Sequence, residues 1–165
     1  TQTTAADGSK IMMSYNKQGN KVSMDDPDLG HWKYVYNAFG ELIEQQPVIH
    51  TNQKMQIMQI EYDQLGRKIK RIEPEGVTQW TYDDAHTGLG KLIKVTVSKD
   101  GNTYYQEQLT YDNKGLHVAT TTTIDEQTSL TITNTYDQYS RLATRTYPDN
   151  FKLIYGLWIS FCFIN

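Results

Sequence analysis

Six side-chain carboxylates or amides in this sequence directly follow a tyrosine: Tyr15-Asn16, Tyr36-Asn37, Tyr62-Asp63, Tyr82-Asp83, Tyr111-Asp112 and Tyr136-Asp137. Carboxylates can serve general acid–base or metal chemistry, so their recurrence has to be explained first. Catalysis needs such a group at one place. A group that recurs in the same local setting answers a recurring local need. Asn16, Asn37, Asp63 and Asp112 are each followed three positions later by Gly19, Gly40, Gly66 and Gly115. Asp or Asn first and Gly fourth is the preference of a type I turn. The short polar side chain accepts hydrogen bonds from backbone N–H groups just downstream. These residues therefore read as turn formers, not as catalysts. Two units deviate: Asp83 leads into a longer loop with Gly88 and Gly90, and Ser140 stands where the sixth glycine would.

The other reactive residue types form no constellation. Asp25, Asp26 and Asp28 cluster as calcium ligands would, but without the spacing of a known calcium loop, and read as a polar turn. His31, His50, His86 and His117 form no ligand-spaced pair. No serine lies in a Gly-x-Ser-x-Gly setting and no Gly-rich phosphate loop is present. The single cysteine, Cys162, makes neither an internal disulfide nor a cysteine-based metal site. No cofactor is expected, and no enzyme.

The turn residues need strands to carry them. Two positions before each repeat tyrosine stand Met13, Tyr34, Ile60, Trp80, Leu109 and Asn134. One position before it stand Ser14, Val35, Glu61, Thr81, Thr110 and Thr135. Apolar residues thus alternate with polar ones, the mark of a strand with one buried face, and the tyrosine lies on that face at the strand's end. Returning strands follow at Glu41-Leu42-Ile43, Arg67-Lys68-Ile69, Lys91-Leu92-Ile93 and Arg141-Leu142-Ala143. Opposite turns close the units at Pro27-Asp28-Leu29-Gly30, Pro74-Glu75-Gly76, Asp100-Gly101 and Pro148-Asp149-Asn150. The tyrosines recur at intervals of 20 to 29 residues. No segment has helical period. The expected fold is all-β: tandem antiparallel β-hairpin repeats in a curved, open sheet, with repeats over residues 1–155 and a divergent apolar tail at 156–165.

Composition agrees. Twelve of 165 residues are tyrosine, a type suited to half-buried pleated surfaces. A net charge of −3 with both signs interspersed gives no reason to expect nucleic acid as a partner. The longest apolar run, Leu153 to Ile164, falls short of the roughly 20 residues of a membrane span. Trp32, Tyr34 and Trp80 admit two readings. They pack a β core, or they offer faces to a ligand such as carbohydrate.

The repeat resembles the RHS or YD-repeat family. The stretches that carry the resemblance are Tyr62-Asp63-Gln64-Leu65-Gly66-Arg67, Pro74-Glu75-Gly76 leading to Trp80-Thr81-Tyr82-Asp83, and Met24 through Gly40; Arg141 after Tyr136-Asp137 repeats the place of Arg67. The resemblance implies a sheet that spirals into a hollow shell. In bacterial polymorphic toxins and insecticidal toxin complexes such a shell encloses a toxic C-terminal domain. It further implies secretion or surface display, and partnership with other segments of a longer protein. Some members carry a self-cleaving aspartate site beside an Asp-Pro-x-Gly-Leu-type signature, which Asp26-Pro27-Asp28-Leu29-Gly30 does not match. The tail departs from the pattern: another tyrosine–asparagine turn is expected after Tyr155, and Gly156 stands there, as at a truncated or displaced end.

Overall fold

The computed structural model describes residues 1–4, 8–48, 57–83 and 88–156. Every regular element among them is a strand, because the period-two patterning leaves no stretch with a helical stripe. The first eight are β1 (Gln2–Thr4), β2 (Lys10–Tyr15), β3 (Lys21–Asp26), β4 (Gly30–Tyr36), β5 (Leu42–Pro47), β6 (Met58–Tyr62), β7 (Lys68–Glu73) and β8 (Gly76–Tyr82). The remainder are β9 (Leu92–Lys99), β10 (Asn102–Tyr111), β11 (His117–Ile124), β12 (Thr128–Tyr136), β13 (Leu142–Thr146) and β14 (Lys152–Ile154). The strand order follows the chain from β1 to β14 with no crossover, and β1 and β14 are the open ends. Two compact units divide the chain: Thr1–Gln79 with Ser98–Gly101, and Trp80–Val97 with Asn102–Asn165.

Within the first unit, register sorts the side chains onto two faces. Met13 pairs with Met24, Met24 with Trp32, and Tyr34 with Gln45. This face carries the repeat tyrosines. The other pairs Ser14 with Ser23, Val35 with Glu44 and Glu61 with Lys70. In the second unit the tyrosine face pairs Leu109 with Thr120 and Thr120 with Ile132, and the opposite face is lined with hydroxyls. There Thr121 meets Thr131 at 3.0 Å and Thr135 meets Thr144 at 2.7 Å.

The sheet has almost no core. Among the described residues Tyr34 and Ile60 are the only buried large apolar side chains, and none is fully buried. Both stand two positions before a repeat tyrosine, as does buried Asn134. A single layer covers neither of its own faces.

Two of the opposite turns follow their residues' backbone preferences and one does not. Pro74-Glu75 is a two-residue connection, since Glu73 pairs with Gly76. Asp100 and Gly101 both have positive φ (51° and 85°), as a type I′ hairpin turn requires. Asp125 and Glu126 do the same at 49° and 57°, between β11 and β12, with neither Gly nor Pro to announce the turn. The Asp25–Asp26–Asp28 cluster is a turn: Asp26 Oδ1 accepts from the N–H groups of Asp28 (2.9 Å) and Leu29 (3.0 Å).

Candidate functional site

The repeated site is the hairpin turn and its tyrosine. In the Asp63 turn, the Asp63 N–H donates to the Arg67 carbonyl (2.9 Å) and the Gly66 N–H to the Asp63 carbonyl (3.0 Å). Asp63 Oδ1 accepts from the N–H groups of Leu65 (2.9 Å) and Arg67 (3.0 Å). The same four bonds recur around Asn16, Asn37, Asp112 and Asp137. One residue thus organises the whole turn through its N–H, its carbonyl and its side-chain oxygen. The fourth residue takes a positive φ: 85° at Gly19, 82° at Gly40, 75° at Gly66, 74° at Gly115. Ser140 adopts it too, at 61°, so the sixth turn keeps its shape at a strain that glycine would avoid. The fourth turn differs. Asp83 itself has φ 65°, its N–H donates to the Lys91 carbonyl, and its Oδ1 accepts from the Gly90 N–H; residues 84–87 lie outside the described residues.

In two turns the other carboxylate oxygen is also engaged. Arg67 Nε donates to Asp63 Oδ2 at 2.7 Å and Arg141 Nε to Asp137 Oδ2 at 2.8 Å. Both carboxyls are held below the usual carboxylate range. At Asp63 the Arg67 backbone N–H is the largest cause, and at Asp137 it is the Arg141 guanidinium.

Each of the five regular turns is followed by a bulge. Tyr36 pairs with Leu42 but Val35 with Glu44, so Ile43 is skipped. Val22, Ile69, Val118 and Ala143 are skipped likewise. A bulge disrupts the ladder locally, and the residue just before the bulges at Val22, Ile43 and Val118 offers its carbonyl to the tyrosine of the next hairpin, as Leu92 does after the fourth turn. The Tyr36 hydroxyl donates to the Lys21 carbonyl (2.9 Å), Tyr62 to Leu42 (3.0 Å), Tyr111 to Leu92 (2.9 Å) and Tyr136 to His117 (2.7 Å). Burial, reinforced by the Glu41 carboxylate, pushes the Tyr62 hydroxyl above its ordinary pKa, and burial does the same at Tyr111. Both phenols therefore stay protonated as donors. The structure thus gathers Tyr36, Tyr62, Tyr111 and Tyr136 into one recurring lock, while the Tyr15 hydroxyl meets only Met13 Sδ, at 3.5 Å.

The ligand-contact candidates stand apart from one another in role. Trp32 Nε1 donates to the Leu29 carbonyl (2.8 Å), fixing a turn. Tyr34 is buried, with Lys21 Nζ 4.3 Å from its ring centre. Trp80 is half-buried at the place Ile60 occupies in its own repeat. Sequence reasoning missed the polar knot at His117. Buried Asn134 donates to the His117 carbonyl (3.1 Å) and accepts from Arg145 Nε (3.0 Å), while His117 Nε2 meets Thr120 Oγ1 at 2.8 Å. A polar residue at a place otherwise apolar was its one signal.

This arrangement of turns, bulges and locks defines a class of protein, a tandem β-hairpin array, and the class has solved examples. The fold is that of Tc toxin chains. The "TcdB2-TccC3-Cdc42" structure matches with a TM-score of 0.69 at 18% identity, over 87% of this chain and 7% of that one. The "TcdB2-TccC3" structure gives 0.69 at 17% identity, over 87% and 7%. A Tc holotoxin pore from Photorhabdus luminescens gives 0.59 at 15% identity, over 90% and 10%. The chain therefore spans about a tenth or less of the chains whose fold it shares. The likeness to insecticidal toxin-complex chains read from the Tyr-Asp repeats is met by the fold. No family model and no curated protein matches the sequence.

Proposed function

We propose that this chain is a non-catalytic stretch of wall in the encapsulating β-shell of a secreted, toxin-like RHS-repeat protein. On this reading its neighbours are further repeats of a longer chain, and the enclosed C-terminal domain lies behind it. The observation that carries the reading is the single-layer sheet itself. Tyr34 and Ile60 are its only buried large apolar side chains among the described residues, so what stabilises it is the pairing and tyrosine lock between successive hairpins, which any number of repeats can extend. The six Asp and Asn side chains are engaged in turns, which supports a structural role for them. Secretion is part of the proposal.

The test is to express a longer RHS-type chain with these residues grafted in place of its own matching repeats. Recovery of a closed particle by electron microscopy, with its C-terminal domain protected from protease, is the expected result. A particle that fails to close, or a C-terminal domain cleaved at once, overturns the reading.

A further inference from the structure

Four repeat tyrosines donate to a backbone carbonyl, and the first does not: the Tyr15 hydroxyl is directed at Met13 Sδ, 3.5 Å away. Met13 stands opposite Met24 in the register of β2 and β3, on the tyrosine face. Met24 Sδ is approached in turn by Lys21 Nζ at 3.8 Å and by the Tyr34 hydroxyl at 4.0 Å. Three donors, one of them charged, thus converge on two thioether sulfurs of neighbouring strands.

A thioether is a weak acceptor, so these donors are poorly matched. Soft sulfurs also suit Cu(I), but the Lys21 ammonium, 3.8 Å from Met24 Sδ, opposes a cation there. What the three donors call for is an oxygen, and oxidation supplies one. The sulfur lone pair attacks one oxygen of hydrogen peroxide, the O–O bond breaks, and the S–O bond of a sulfoxide forms. The sulfur is oxidised, and the second peroxide oxygen leaves as water with both protons. Sulfoxides usually harm a protein by placing a polar group in its core. Met13 and Met24 are both half-buried in a single-layer sheet, so that cost is small here and the donors are already in place.

We propose that Met13 and Met24 form a reversible oxidation site, whose reagent is a peroxide and whose sulfoxides accept from the Tyr15 hydroxyl, the Lys21 ammonium and the Tyr34 hydroxyl. At Met13 the sulfoxide oxygen gives the first tyrosine the acceptor that later ones find in a carbonyl. Oxidation therefore tightens the first hairpin, where it would loosen an ordinary core. Methionine sulfoxide reductases remove the oxygen again. The site does not depend on the shell reading, because it uses contacts within one hairpin and the strand beside it.

Amide hydrogen exchange of the full chain, read by mass spectrometry before and after hydrogen peroxide, tests it. Met13 and Met24 should each gain one oxygen under conditions that oxidise Met12, which is 54% exposed. Exchange across β2 and β3 should then slow about fivefold, as one added hydrogen bond implies. It should return to its starting rate after treatment with sulfoxide reductases of both epimer specificities. The slowing should persist with Met12→Leu, a volume-conserving change, which removes the oxidation of Met12. Tyr15→Phe combined with Lys21→Leu should abolish the slowing while both sulfoxides still form. Faster or unchanged exchange on oxidation, no sulfoxide at either methionine once Met12 is fully oxidised, slowing that vanishes with Met12→Leu, or slowing that survives the double substitution overturns the proposal.

Discussion

The Tyr62 hydroxyl donates to the Leu42 carbonyl at 3.0 Å, joining a residue at the end of one hairpin to the start of the returning strand of the hairpin before it. The bulge at Ile43 makes that carbonyl a recurrent acceptor. Removing the hydroxyl leaves a half-buried carbonyl short of its partner, at a cost of about 1 kcal/mol. Tyr62→Phe and Tyr136→Phe should each lower stability in urea by about that much. Tyr15→Phe, which loses only a 3.5 Å contact with sulfur, should be close to neutral. Equal losses at all three positions would dismiss the lock.

The acid response should be uneven along the chain. Asp63 and Asp137 have folded pKa values below the ordinary carboxylate range. The unfolded state therefore takes up protons first. Stability from these two turns is complete above the unfolded value of about 3.9 and drains away as pH falls through the depressed folded values. Asn16 and Asn37 hold their turns with the same Oδ1 bonds and do not titrate. Asp63→Asn and Asp137→Asn should each flatten the acid limb of a stability–pH profile measured by urea denaturation. A profile unchanged by both substitutions would show that these carboxyls do not govern it.

Ser140 is the one non-glycine at the fourth turn position among the five regular turns, at φ 61°. Ser140→Gly should stabilise the chain by about 1 kcal/mol. Gly66→Ala should destabilise it by at least that, since the new Cβ also meets Glu41 Oε1 at 2.8 Å. Gly101→Ala, at φ 85° with open space around it, should bear the backbone strain alone. Thermal melts of the three variants give the order.

Self-association is the expected behaviour of the chain in isolation. β14 is exposed along its length and ends the sheet, and open edges offer unpaired backbone groups to other strands. Large apolar side chains also stand exposed, Met12, Tyr15, Leu130 and Ile154 among them, and uncovered apolar surface drives association. Light scattering should show oligomers at micromolar concentration. A monodisperse monomer that unfolds cooperatively would mean that the chain satisfies its own surfaces.

Much of this was legible in the residues. The Tyr-Asx pairs, the glycine three places on and the period-two alternation placed the strands and the regular turns, because each depends on side chains with narrow backbone preferences. The tyrosine lock was not legible, because its acceptor is a main-chain carbonyl and any residue type supplies one: Lys21, Leu42, Leu92 and His117 each stand two places after a turn glycine but share no side-chain chemistry. The Asp125–Glu126 turn was missed because its two positive φ values fall on residues that rarely take them.

The locks also divide the labour between the two margins of the ribbon. Every Tyr-Asx turn lies on the margin where the hydroxyls reach back, and its spacing from lock to bulge is fixed at a few residues. The opposite margin carries a proline turn at Pro74, a bare Asp-Gly at Asp100 and an acidic pair at Asp125, with no shared sequence. Apart from the longer loop after Asp83, the differences among the intervals of 20 to 29 residues between tyrosines fall in the strands and along that free margin. During descent, length can be inserted or lost along that free margin, and entire hairpins can be duplicated, while the locked margin keeps its stitch.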